Sequence, residues 1–265
     1  MSLTLRFVRI FGYFLLRDIY AFKNHWRRVF FNFSTILPLV SSLVFGYFLP
    51  NSTMINATPV ESTIFFVGCI LWSIFPLAFL MNLDLIFDLE HQRFIDYQII
   101  MFNPILILLE KIIFSGLITF FNIVLFFPIS KIILGSYFYT TNTSWPSLFL
   151  ILMLGSLFCA TFNIFMLCYI KSSQSIGRFW MRVNNPLITL GGLFMPWYIM
   201  AKYSYFLGNL ALANPLIYLT EGVRASIIGG PHFFSVFTAS LALIIFSTFF
   251  FILSCIFFKK KVDYV

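Results

Sequence analysis

Six long apolar blocks recur along this chain, and positively charged side chains cluster at every second junction between them. The blocks cover residues 29–49, 62–88, 108–134, 146–170, 184–201 and 235–258. A helix needs about 20 mainly apolar residues to cross a bilayer, and each block is that long or nearly so. The pattern predicts an all-α integral membrane protein with six transmembrane helices.

The positions of Lys and Arg predict how these helices are oriented. If the N-terminus is cytoplasmic, the inside segments hold 14 of the 17 Lys and Arg, and the outside segments hold the other 3, namely Lys131, Lys202 and Arg224. Short positively charged loops stay in the cytoplasm. We therefore expect a multi-pass protein of the cell (inner or plasma) membrane with both termini cytoplasmic. Anionic lipid head groups, rather than nucleic acid, then explain the net charge of +8.

The composition favours a single membrane domain. With 60% hydrophobic and 10% charged residues and only short loops, the chain has no room for a soluble domain. Polar and basic side chains recur at steps of three and four over residues 3–28, which is typical of a basic amphipathic helix in the membrane interface. We divide the domain 1–265 into an interfacial helix (1–28), a six-span bundle (29–258) and a cytoplasmic tail (259–265).

An acidic cluster ends the second block. Asp84 and Asp88 are four residues apart and share a helix face, and Glu90 follows. Ionisable groups at membrane depth are costly unless they face water, a partner or another helix. The cluster is a functional-site candidate, unless the helix has already left the membrane there. Residues 91–103 are amphipathic and end at Asn103-Pro104, a helix start, so this ordered loop is expected to dock onto another molecule.

Broken helices are expected on the outer side. The block 184–201 is short and is interrupted by Gly191-Gly192 and Pro196, and residues 203–230 are broken at Asn214-Pro215. Half-helices at membrane depth need protein or water around them, so we predict a re-entrant helical hairpin between spans five and six. Glu221 and Arg224 share a face of its second helix and form either a structural ion pair or an exit gate.

The chain lacks the common motifs for its own chemistry. It has no G-x-x-x-x-G-K-[ST] loop, no H-E-x-x-H and no Cys/His cluster, and its four cysteines fall inside apolar blocks. We therefore expect no cofactor, metal or catalytic residue in this chain. Because spans three to six have almost no charges in their centres, a proton relay is also disfavoured. Energy for any transport would come from another subunit.

Four features together resemble the membrane subunit of an ATP-binding-cassette exporter, the type-2 transport permease family. They are the interfacial helix with Leu16-Arg17-Asp18-Ile19, the segment from Glu90 through Asn103-Pro104 to Lys111, the span with Asn185-Pro186-Leu187 and Gly191-Gly192, and the run Asn214-Pro215-Leu216-Ile217-Tyr218 with Glu221, Arg224 and Gly229. Val223 stands where the family usually has an aromatic residue. The resemblance covers essentially the whole chain.

The resemblance implies a dimer of six-span subunits, with a second copy or a related permease, and two cytosolic ATPases that bind ATP and Mg²⁺. It implies an amphipathic, lipid-linked or glycan substrate that leaves between the subunits. The ATPase-coupling residues would be Glu90, Arg93, Phe94, Ile95, Tyr97 and Ile99, and the outer gate would be Asn214, Pro215, Glu221 and Arg224. Two other classes stay open: a membrane-embedded lipid- or glycan-modifying enzyme, for which Asp84, Asp88 and His91 could supply polar groups, and a non-transporting scaffold.

Overall fold

In the computed structural model of the chain, the described residues are 3–53, 58–91, 103–170 and 172–263, and they contain no β-strand. The first helix, α1, is Leu3–Lys23. Five helices are long and apolar enough to cross a membrane: α2 (Trp26–Ser52), α3 (Pro59–Glu90), α4 (Pro104–Tyr137, ending in a 3₁₀ turn), α5 (Trp145–Tyr169) and α10 (Val236–Lys261, helical to Asp263). They indicate a multi-pass membrane protein and match five of the six predicted blocks.

The remaining predicted block, 184–201, is divided between two helices. Helix α6 covers residues 176–193 and winds partly as wide π-helical turns. It ends where Gly192 takes φ 85°, a left-handed conformation that only glycine adopts readily. Pro196 then precedes α7 (Trp197–Tyr203). The break lies at the glycine pair and proline that the sequence analysis singled out.

Two more helices complete the segment before α10. Helix α8 is Tyr205–Leu212 and α9 is Pro215–Ile227, so they meet at the predicted break Asn214-Pro215. The Asn214 side chain accepts a hydrogen bond from the backbone N–H of Leu216, which caps α9. Gly229 and Gly230 both have positive φ, and they lie in the turn between α9 and α10.

The core is arranged around α5. Helices α3, α4, α9 and α10 all pack on α5, while α2 packs on α3 and α4. One apolar cluster lies where α3 and α10 begin, and a second lies where they end and α4 begins. We call the first end of the bundle the far end. We call the second the basic end, because Lys111, Lys259 and Lys260 lie there.

Two segment boundaries differ from the sequence analysis. The interfacial segment was expected to reach residue 28, but α1 ends at Lys23 and α2 begins at Trp26. The tail was expected to begin at residue 259, but α10 continues to Asp263. Both differences arise because helix formation continues into polar residues beyond an apolar block.

Candidate functional site

A fully buried ion pair lies at the far end. The Arg224 guanidinium donates to Glu221 Oε1 at 2.9 Å, and neither side chain has any exposed surface. Arg224 also donates through Nη2 to the Gly192 carbonyl at 2.7 Å, and through Nε and Nη2 to the Ile64 carbonyl at 3.2 and 3.1 Å. One side chain on α9 therefore connects the end of α6 with the first turns of α3.

Glu221 links the same place to α7. Its Oε1 also accepts the backbone N–H of Trp197 at 3.0 Å, one of the first N–H groups of α7 that have no partner inside the helix. Its Oε2 has no hydrogen-bond partner in the described part of the chain. The pair is therefore fully buried, whereas the side chains of a gate at the protein surface would be only partly shielded from water.

Close packing surrounds this pair. Thr220 Oγ1 donates to the Gly191 carbonyl at 2.8 Å, and Asn214 Nδ2 donates to the Leu187 carbonyl at 2.6 Å. A Cβ on Gly192 would lie 2.5 Å from Thr220 Oγ1. We call Gly192, Asn214, Thr220, Glu221 and Arg224, with their contacts to Ile64 and Trp197, the far-end network. It supplies buried hydrogen bonds between α3, α6, α7 and α9.

A second charged cluster lies at the basic end. Asp18 of α1 forms salt bridges with Arg17 beside it and with Lys111 of α4, and the Asp18 side chain is 8% exposed. Helix α1 is thus attached to the first turns of α4 through a charge pair 93 residues apart in sequence. Asp18 is the only acidic residue among the first 28, which is the sequence signal that could have indicated a specific partner.

A cavity of about 360 Å³ opens beside this cluster. Asp18 and Lys111 line it together with Asp84 of α3 and with His25 and Arg28. Of the two acids that the sequence analysis left open, Asp84 faces this cavity, whereas Asp88 is not among the lining residues. We call it the basic-end cavity. It brings acidic, basic and imidazole side chains together at one end of the bundle.

The predicted coupling residues divide into two sets. Glu90 is described, and its Oε2 accepts the backbone N–H of Ser173 at 3.2 Å, so the end of α3 contacts the turn before α6. The others lie outside the described residues: Arg93, Phe94, Ile95, Tyr97 and Ile99.

Glu110 is 2% exposed, and neither carboxylate oxygen has a hydrogen-bond partner among the described residues.

One helix connects the two clusters. Ile64, which contacts Arg224, and Asp84, which lines the basic-end cavity, are both on α3 and 20 residues apart. At 1.5 Å per residue that separation is about 30 Å. This is also about the thickness of the hydrocarbon core of a bilayer. The two charged clusters are therefore separated along α3 by about the thickness of a bilayer core, with an apolar stretch of α3 between them.

The described residues contain no group of three or more His, Cys, Asp or Glu that could hold a metal ion. The four cysteines are free and at least partly buried, as packing residues would be. No family model, curated protein or solved structure matches this chain.

Proposed function

We propose that this chain is the membrane subunit of an ATP-driven exporter of the type-2 permease class, powered by a separate cytosolic ATPase. The observation that carries the proposal is the attachment of α1 to α4 through Asp18 and Lys111. Lys111 follows the segment 91–103 by eight residues, and that segment joins α3 to α4. Three helices thus converge where an ATPase would bind.

This arrangement suggests how ATPase closure would reach the far side of the membrane. Displacement of the segment 91–103 moves α3, α4 and, through Asp18, α1. Helix α3 extends to Ile64, where Arg224 holds it against α6 and α9. Movement of α3 at the cytoplasmic side would therefore act on the far-end network, which opens or closes the exit.

The same proposal includes six crossings, with both termini in the cytoplasm and the chain in the inner or plasma membrane. The fifth crossing is then made by α6 and α7 together, and α8 and α9 form a re-entrant hairpin. The hydrogen bond from Asn214 to the Leu187 carbonyl supports this assignment, because it holds the junction of α8 and α9 beside the middle of α6. The basic end is the cytoplasmic end.

The proposed substrate is an amphipathic, lipid-linked or glycan molecule that passes between two permease subunits. The outward faces of α2 and α10 are apolar, with exposed side chains such as Phe31, Phe48, Phe237 and Phe249. In a dimer, part of this surface contacts the second copy and part contacts lipid. The partner chains are two ATP-binding-cassette ATPases, which hold the ATP and Mg²⁺.

The test is recovery of an ATPase with the full chain from native membranes. The wild-type chain should co-purify with an ATP-binding-cassette ATPase, and the reconstituted complex should hydrolyse ATP. Tyr97→Asp should lose most of the ATPase if the segment 91–103 forms the proposed interface, because aromatic anchors at an interface often contribute more than about 1–2 kcal/mol to binding. Tyr203→Asp is the matched control, since Tyr203 is 81% exposed at the other end of the molecule.

Recovery of no such ATPase with the wild-type chain would contradict the proposal. Equal recovery of the ATPase with Tyr97→Asp and Tyr203→Asp would show that the segment 91–103 is not part of the interface. A chain that binds other membrane proteins but has no effect on ATP hydrolysis would be a scaffold.

One observation favours a second candidate, a membrane-embedded enzyme acting on lipids or glycans. The basic-end cavity combines Asp84 with His25 and Lys111, a set that could exchange protons with a bound head group. Asp84→Ala separates the two functions. If the chain is an enzyme, the isolated chain turns over a lipid substrate and the substitution abolishes that turnover. If it is an exporter subunit, the isolated chain shows no such turnover with or without the substitution.

A further inference from the structure

A second cavity lies at the basic end of the bundle, and α1 does not line it. It has a volume of about 730 Å³ and lies between the end of α5, the start of α6 and the end of α10. Neither the exporter mechanism nor the basic-end cavity uses it. Four of its lining residues are cations: Arg178, Arg182, Lys260 and Lys261.

The four cations have different local roles. Lys261 Nζ donates to the carbonyls of Leu167 and Ile170, so it satisfies the last turn of α5 and is structural. Among the described residues, Arg178 donates only to the Ser175 hydroxyl, at 3.0 Å. Arg182 and Lys260 form no salt bridge with any described residue. Three cations therefore have unused hydrogen-bond donors around one cavity.

Among the residues that the structure describes, no acid lines this cavity. Glu90, at the end of the neighbouring α3, interacts with Lys261 and accepts the Ser173 N–H. Arg178 and Arg182 are four residues apart on α6 and lie on one helix face. Lys260 comes from α10, so the positive charges converge from two helices. Such convergence favours a ligand with several negatively charged oxygens.

The rest of the wall is apolar. Tyr169, Phe179, Val183 and Phe257 complete the lining. The outward face of α10 continues from this cavity along the bundle as exposed apolar side chains, including Phe249, Ile252 and Ile256. An anionic head group at the cations would thus have a surface beside it on which acyl chains can lie.

We propose that this cavity binds the phosphate head group of an anionic phospholipid in the membrane leaflet at the basic end. Arg178, Arg182 and Lys260 would hold the phosphate oxygens, and the acyl chains would lie along α10. Basic pockets between helices at this depth bind acidic lipid head groups. The proposal depends on the chain being a multi-pass membrane protein and does not depend on the exporter function.

The test is native mass spectrometry of the purified full chain in neutral detergent, titrated with phosphatidylglycerol or phosphatidylcholine. We expect one tight phosphatidylglycerol adduct and only weak phosphatidylcholine adducts. The variant Arg178→Gln/Arg182→Gln/Lys260→Gln should bind phosphatidylglycerol about a hundredfold more weakly, at about 1 kcal/mol for each cation.

The matched control removes the same charge from α1 and the first turn of α2, away from the cavity. Arg9→Gln/Lys23→Gln/Arg27→Gln should keep the tight adduct. Equal weakening in both triple variants would show diffuse surface attraction and would overturn the site. Equal affinity for phosphatidylcholine and phosphatidylglycerol would overturn it as well.

A second measurement uses a chain that keeps all its cations. Ser175→Cys places a thiol at the cavity wall, and its labelling by a maleimide is compared with the labelling of the unmodified chain. Phosphatidylglycerol should slow this labelling at least about tenfold, a difference of roughly 1.4 kcal/mol. Protection by inorganic phosphate as strong as by the lipid would identify a site for free phosphate and contradict the lipid assignment.

Discussion

The buried pair at the far end makes a prediction about stability. Replacing Arg224 by Gln removes the donor that Glu221 Oε1, the Gly192 carbonyl and the Ile64 carbonyl all share. Loss of one partner of a buried ion pair costs about 3–5 kcal/mol. Each buried carbonyl left without a donor adds about 1–3 kcal/mol. These terms sum to about 5–11 kcal/mol, and we expect about 6 kcal/mol because the Gln amide can still donate to one of the carbonyls.

Glu221→Gln should be less costly. The Gln oxygen can still accept the Trp197 N–H and the Arg224 donor, and Arg224 keeps its two carbonyl partners, so we expect about 3 kcal/mol. The double variant leaves no unpaired buried charge. It should therefore be no less stable than Arg224→Gln alone, although the carbonyls of Ile64 and Gly192 still lose their donor.

Thermal unfolding in detergent, followed by tryptophan fluorescence, measures these differences. Trp197 lies within the network and reports on it directly. At about 2 °C per kcal/mol for a chain of this size, Arg224→Gln should lower the midpoint by about 12 °C and Glu221→Gln by about 6 °C. The exposed Arg27→Gln is the matched control and should leave the midpoint unchanged. A double variant as unstable as the sum of the two singles would refute the paired network.

Three further predictions concern other parts of the molecule. Gly192→Ala should lower the free energy of unfolding by about 2 kcal/mol or more, because an Ala there needs a left-handed backbone and places its Cβ against Thr220. Gly177→Ala on the same helix has open space around its Cβ and should be neutral or slightly stabilising. The same unfolding assay measures both variants. Asp18→Asn should lower the free energy of unfolding by about 2 kcal/mol and reduce ATP-dependent export in proteoliposomes, because it weakens the attachment of α1 to α4. Unchanged export would show that α1 takes no part in the coupling. A cysteine at Ser52 should react with an impermeant maleimide from outside intact cells, and one at Ser173 should not; the reverse result would invert the proposed topology.

Helices made of uniform apolar blocks could be predicted closely from the sequence. The expected span 146–170 corresponds to α5, Trp145–Tyr169, because an apolar run of this length has few alternatives to a buried or membrane-spanning helix. The Asn214-Pro215 junction was also predictable, since Asn caps a helix and Pro fits its first position. Local chemistry determined these elements, so local sequence was sufficient to predict them.

Contacts between distant segments could not be predicted in the same way. The spacing of Glu221 and Arg224 indicated a pair, but the Ile64 carbonyl that Arg224 also binds is 160 residues away in the sequence. Likewise, nothing near Asp18 identifies Lys111 as its partner. Both contacts depend on how helices pack, and packing is decided by side-chain shape over the whole bundle.

The most direct test of the proposed function is site-specific photo-crosslinking in intact cells. A photoreactive amino acid at position 97, in the segment 91–103, should crosslink to an ATP-binding-cassette ATPase, and the same amino acid at position 203 should not. Mass spectrometry of the crosslinked species identifies the partner. Crosslinking at position 97 only to lipid or to this chain itself, in cells that export normally, would contradict the account.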